Sequence, residues 1–161
     1  MAFFRRDRLP EGIAIEPGEK VLGWARGPQG VLVATDMAFY TPEAFEPRRT
    51  VWHLIDKAGW RKPYLDVSLH ALVGSPLMTW KFELTEPNRL PAAVHDRVTA
   101  SVITSLDIDV PGGQARIAAR RTETNETRWS VNALDGADLS SPESRAEITA
   151  VIAELRESLG L

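Results

Sequence analysis

Lys20-Val21-Leu22-Gly23-Trp24-Ala25-Arg26 runs into Gly27-Pro28-Gln29-Gly30, and then into Val31-Leu32-Val33-Ala34-Thr35-Asp36-Met37-Ala38-Phe39-Tyr40. Val, Leu, Trp, Phe and Tyr suit a pleated, half-buried surface, while the Gly-Pro-Gln-Gly stretch is turn chemistry. The segment therefore reads as strand, tight turn, strand, a polar break at Thr35-Asp36, and a third strand. A curled antiparallel sheet or barrel opens in this way.

The same alternation continues downstream. Pro17-Gly18 is a turn leading into the first strand, and Thr41 to Pro47 reads as an exposed connection. The stretch from Arg48 to Leu54 returns as a strand, with Trp52, Leu54 and Ile55 toward the core. A further strand starts at Ala58-Gly59-Trp60 and bends near Lys62-Pro63; beyond it, Leu65, Val67 and Leu69 alternate with Asp66 and Ser68. Gly74-Ser75-Pro76 is another turn, after which Met78, Trp80, Phe82 and Leu84 share one strand face. A helix follows. Pro91 suits its first turn, and Leu90, Val94, Val98, Val102 and Leu106 recur every four residues as a narrow apolar stripe. Pro111-Gly112-Gly113 then marks a hairpin between 106–110 and 114–121, and Thr127 to Val131 adds a strand. A last helix starts at Ser140-Ser141-Pro142, with Glu143 placed to close a capping box on Ser140. Its apolar face is Ile148, Val151, Ile152, Leu155 and Leu159, and Gly160 ends it.

Three stretches carry a family resemblance: Pro17-Gly18-Glu19-Lys20-Val21-Leu22 with Trp24-Ala25, Val33-Ala34-Thr35-Asp36 with Tyr40, and Trp52-His53-Leu54-Ile55-Asp56 with Ala58 and Trp60. Ala118-Ala119-Arg120-Arg121, Trp129 and the run from Glu154 to Leu161 extend it. Together they resemble an uncharacterised group of actinobacterial PH-like (bacterial PH/GRAM-like) domain proteins. The resemblance implies an α+β fold: a PH-like curled antiparallel β-barrel closed by a helix over 1–106, with an N-terminal tether. A C-terminal β-hairpin and amphipathic helix over 107–161 would pack on it as a single compact unit. Phosphoinositide-binding PH domains carry several basic residues around the first hairpin. Here that hairpin has only Lys20 and Arg26, and its loop is uncharged, which argues against the usual inositol-phosphate pocket.

Composition narrows the functional classes. The chain has 161 residues, 43% hydrophobic and 25% charged, enough for a soluble core. A formal net charge of -3 speaks against a general nucleic-acid binder, whose affinity rests on neutralising phosphates. With no cysteine, disulfides, zinc–thiolate centres and thiol catalysis are excluded. Met1-Ala2-Phe3-Phe4 is too short for the core of a signal peptide, and no apolar run suggests a membrane span. The expected location is the cytoplasm, with peripheral attachment at the inner membrane surface as the alternative.

No catalytic, metal or cofactor site is expected. His53 with Asp56 could orient a general base, but no nucleophile motif accompanies them, and a histidine on the polar face of a strand is the ordinary reading. His70, and His95 beside Asp96, lack metal-ligand spacing, and no phosphate-cradling glycine loop is present. Asp107 and Asp109 read as a charged strand edge. Two basic sets stand out as binding candidates. Arg116 and Arg120 share a strand face that Arg128, with Ser130, would extend. Lys57, Arg61 and Lys62 surround Trp60, the tryptophan best placed to anchor a ligand or partner. The expectation is a non-enzymatic binding or scaffolding module for a protein partner or for a second copy of the chain. The alternative is peripheral binding of anionic lipid headgroups, aided by Phe3, Phe4 and the arginines beside them.

Overall fold

The computed structural model describes residues 8–70 and 78–161. Phe3, Phe4 and the turn at Gly74-Ser75-Pro76 lie outside the described residues. Among the described residues, ten strands form three antiparallel sheets, accompanied by two α-helices and one 3-10 turn. The chain divides into two compact units between Ser101 and Val102, a few residues before the expected boundary at 106.

In the N-terminal unit the apolar runs become β1 (Val21–Gly27), β2 (Gly30–Thr35), β3 (Ala38–Tyr40) and β4 (Arg49–Val51), hydrogen-bonded in that order. Pro28-Gln29 turns β1 into β2 with Gly27 opposite Gly30. Thr35 makes the next reversal: its Oγ1 accepts the N–H groups of Met37 and Ala38 at 3.1 and 2.9 Å. β4 does not run on through Leu54 as the sequence suggests. The chain winds into a 3-10 turn (Trp52–Leu54) that buries Trp52 and leaves Leu54 45% exposed. The Trp52 indole N–H donates to the Thr35 carbonyl at 3.0 Å, which holds that turn against β2. β5 (Ile55–Arg61), β6 (Tyr64–Leu69) and β7 (Thr79–Glu83) then build a second sheet. No closed barrel is found among the described residues.

One core lies between the two sheets. Phe39 of the first meets Phe82 of the second edge-on at 6.1 Å, and Trp52, Phe45 and Trp80 ring them at centroid distances of 5.0–6.2 Å. Burying each phenylalanine stabilises the fold by about 2 kcal/mol. α1 (Leu90–Ser101) adds Leu90, Val94 and Val98 to the same cluster. The sheets also touch at one edge. Arg26 and Glu86 form an isolated antiparallel bridge, and the Arg26 carbonyl accepts the N–H groups of Thr85 and Glu86 at 2.9 and 3.0 Å. A Cβ on Gly27 would lie 1.9 Å from the Glu83 carbonyl oxygen, so only glycine lets the backbones pass.

The lead-in segment is tied down by a buried carboxylate. Glu19, 5% exposed, accepts hydrogen bonds from Thr35 Oγ1 at 2.7 Å, from the Tyr40 hydroxyl at 2.9 Å and from Arg49 Nε at 2.9 Å, and it pairs with the Arg49 guanidinium. Desolvation pushes its pKa up, but the bonds from Thr35, Arg49 and Tyr40 outweigh that effect and hold it below the ordinary carboxylate value.

In the C-terminal unit β8 (Val102–Val110), β9 (Gly113–Arg121) and β10 (Thr127–Leu134) form a meander with β9 at its centre. The predicted hairpin forms around Pro111-Gly112, with Gly112 at a φ of 85° that suits the second turn position. Two expectations are corrected. The helical stripe does not continue past Ser101: Val102-Ile103-Thr104 is a β-branched run whose stiff side chains favour strand, and it pairs with β9. α2 (Pro142–Leu159) is capped by Ser141, which accepts the Ser144 N–H at 3.1 Å, rather than by Ser140 and Glu143. Ser140 instead bonds back to Asp138 through its N–H at 2.9 Å. Gly160, at a φ of 68°, closes the helix in the left-handed conformation. α2 packs on β8 and β9.

Two stability predictions follow from these contacts. Gly27→Ala costs about 3 kcal/mol in urea unfolding, because the obstruction is backbone, whereas Gly59→Ala, with nothing within 4 Å of its Cβ, stays within about 0.5 kcal/mol of the parent. Glu19 has a lowered folded-state pKa, so its contribution is full above the ordinary carboxylate pKa of about 4.3 and fades as pH falls through the folded value. Glu19→Gln therefore loses about 2 kcal/mol near neutrality. Its stability falls less steeply than the parent's between about pH 5 and pH 3 in urea titrations.

Candidate functional site

Among the described residues β5 pairs with β6 on one side only, which makes it an edge strand of its sheet. Its register sets the direction of each side chain. Trp60 lies opposite Leu65, which lies opposite Phe82, and Ala58 lies opposite Val67 and then Trp80. Directly paired residues share a face, so Ala58 and Trp60 point to the core side. Lys57, Gly59 and Arg61 point to the other face, in line with Ser68, Asp66 and Tyr64, and on that face Ser68 is buried while Lys57 and Arg61 are exposed. A bulge at Asp56 sets this alternation.

Beyond Ala58 the described residues leave the core side of β5 open. A groove of about 510 Å³ is lined by Ala58, Gly59, Trp60 and Leu65 on the sheet, and by Pro91, Ala92, His95 and Asp96 on α1. Trp60 is 39% exposed there, while its row neighbours Leu65 and Phe82 are 1% and 0% exposed. Ala92, His95 and Asp96 are all exposed along the opposite wall. The site therefore combines an apolar floor, an aromatic lip, a polar helical wall and an edge strand. Among the described residues, the backbone groups of residues 57–61 make no hydrogen bond outside the β5–β6 pairing.

The residues singled out from sequence are thus only partly brought together. Lys57, Arg61 and Lys62 do flank Trp60 along the chain, but Lys57 and Arg61 lie on the opposite face of the sheet and Lys62 is in the turn to β6. All three are exposed, and among the described residues none has an ion-pair partner within 4 Å. Lys81 joins their face, with its Nζ 4.8 Å from the centre of the Tyr64 ring. The sequence reading missed the α1 wall. Its signal was the exposed i, i+3, i+4 set Ala92, His95 and Asp96 beside the apolar stripe.

The arginine face of the C-terminal unit differs from the expectation. The register does align Arg120 with Arg128 and Arg116 with Asn132. However, Arg120 is 4% exposed on the central strand, and Arg116 is held by Asp107 through paired bonds of 2.8 and 3.0 Å. The hydrogen bonds from Arg116 keep the Asp107 carboxyl below its ordinary pKa. Of the three, only Arg128 is an exposed cation with no ion-pair partner within 4 Å among the described residues, so an exposed three-arginine anion surface does not form. Asp56 lies 3.7 Å from His70 across the β5–β6 pair, with both side chains largely buried. Among the described residues no group of three or more His, Asp or Glu is arranged to hold a metal ion, and no helix is long and apolar enough to cross a membrane.

Of the five tryptophans, Trp60 is the most accessible. Trp60→Phe is expected to remove the largest share of acrylamide-quenchable emission, and Trp52→Phe or Trp80→Phe almost none, in Stern–Volmer titrations of the full chain.

Comparison with protein-family models, with curated proteins and with solved structures finds no match to this chain.

Proposed function

We propose that the protein is a non-enzymatic binding module, PH-like in its N-terminal unit, that captures an extended segment of a protein partner as an added strand on β5. The observation that carries this reading is the open groove between β5 and α1, with an exposed Trp60 at its lip and an edge strand as its border. An edge strand offers alternate N–H and C=O groups to an incoming chain, and adjacent pockets read alternate side chains. A half-exposed tryptophan supplies a large apolar contact, as binding hot spots do. The PH-like assignment is supported by the succession of a four-stranded sheet, a three-stranded sheet and a terminal helix that closes on the same core.

Anionic lipid is the second reading, favoured by Lys57, Arg61, Lys62 and Lys81 on or beside one sheet face. Asp66 and Glu83 interrupt that face, and the Tyr64 ring carries Lys81. A mixed face of this kind suits a protein partner better than a uniformly negative membrane.

The test is selection of a random peptide display library on the full chain, followed by amide-shift mapping of the selected peptides. Shifts over residues 57–61 and at Ala92, His95 and Asp96 are expected. Trp60→Ala and the groove-blocking Ala92→Arg should each weaken binding at least about tenfold while the protein remains folded. A selection that yields no binder on β5, or binding to anionic vesicles that Ala92→Arg leaves intact, overturns the proposal.

A further inference from the structure

The outward face of β5 carries two cations whose partners within the sheet are not acids. Lys57 lies opposite Ser68 and Arg61 opposite Tyr64, while Asp66 lies opposite Gly59 and diagonal to both. Neither cation has an ion-pair partner within 4 Å among the described residues. A strand added at the free edge places its side chains directly beside those of β5, about 5 Å away between Cβ atoms. The positions next to Lys57 and Arg61 would therefore favour carboxylates.

The groove side asks for different chemistry. Positions next to Ala58 and Trp60 enter the apolar groove, whose far wall holds Asp96. Ala58, Leu65, Pro91 and the Trp60 ring offer apolar surface there and Asp96 sets a like charge against an acid, so these two positions favour apolar residues over carboxylates. The central position lies next to Gly59, where nothing stands within 4 Å of a would-be Cβ, and so tolerates any side chain.

Resting on the reading of β5 as a strand-accepting edge, we infer that the partner segment has the alternating pattern acidic, apolar, any, apolar, acidic. The pattern is symmetric about Gly59, so it holds for either strand direction. The same geometry selects against a second copy of the chain as the occupant. Antiparallel self-pairing of β5 about Gly59 would set Lys57 of each copy against Arg61 of the other, a like-charge arrangement on both sides of the centre.

The test repeats the display selection on the parent chain and on the double variant Lys57→Glu/Arg61→Glu, whose altered side chains are exposed. Peptides from the parent selection should be enriched in Glu or Asp at two positions four apart, and the double variant should bind them about tenfold more weakly. Selection on the double variant should exchange those acids for Lys or Arg and leave the two apolar positions unchanged. Peptides that map to β5 but show no charge preference overturn the acidic pattern and leave the strand-addition reading standing. No peptide mapping to β5 overturns both. Concentration-dependent dimerisation of the parent chain that the groove-blocking Ala92→Arg abolishes would also overturn the choice of a foreign segment.

Discussion

Two sheets that share no strand must still face one core, and in the N-terminal unit this depends on how the end of β1 passes the end of β7. The Arg26 carbonyl accepts two N–H groups from Thr85-Glu86, and the Arg26 N–H donates to the Glu86 carbonyl at 3.1 Å. The bridge needs backbone-to-backbone approach, and Gly27 provides it by lacking a Cβ where the Glu83 carbonyl lies. With that edge fixed, Phe39 and Phe82 meet, and α1 can start directly over Gly23, where a Cβ would stand 3.2 Å from the Arg89 carbonyl carbon. The opposite edge of the second sheet, β5, is left as the border of the groove. One edge of the sheet is thus used for assembly, and among the described residues the other carries no further strand.

Much of this was legible in the chain. Gly27-Pro28-Gln29-Gly30 and Pro111-Gly112 are local signals, and both hairpins form where the turn chemistry puts them. The alternation of Trp80, Phe82 and Leu84 announces their burial, because one strand face senses one environment. The final helix was equally visible through its apolar spacing and its closing glycine.

What was not legible is non-local or degenerate. Val102 and Leu106 continue the four-residue spacing of α1 while belonging to a strand, since a short apolar period fits both until a pairing partner decides it. Two adjacent serines made either a plausible cap, and the shift by one residue follows from Pro142 occupying the first helical position. Met78 and Leu54 look like core residues but are 48% and 45% exposed, because each lies just outside a strand. Lys57, Trp60 and Arg61 seem one cluster in the chain, yet the pleat divides them between two faces. The groove wall at Ala92, His95 and Asp96 comes from a helix some thirty residues away, and no pattern within β5 reports it.

The junction between the two units has a consequence for proteolysis. α1 ends at Ser101 and β8 begins at Val102, with no loop residue between them. Ser101 is itself buried, and its hydroxyl donates to the Val98 carbonyl at 2.7 Å. A protease therefore finds no slack chain between helix and strand to cut.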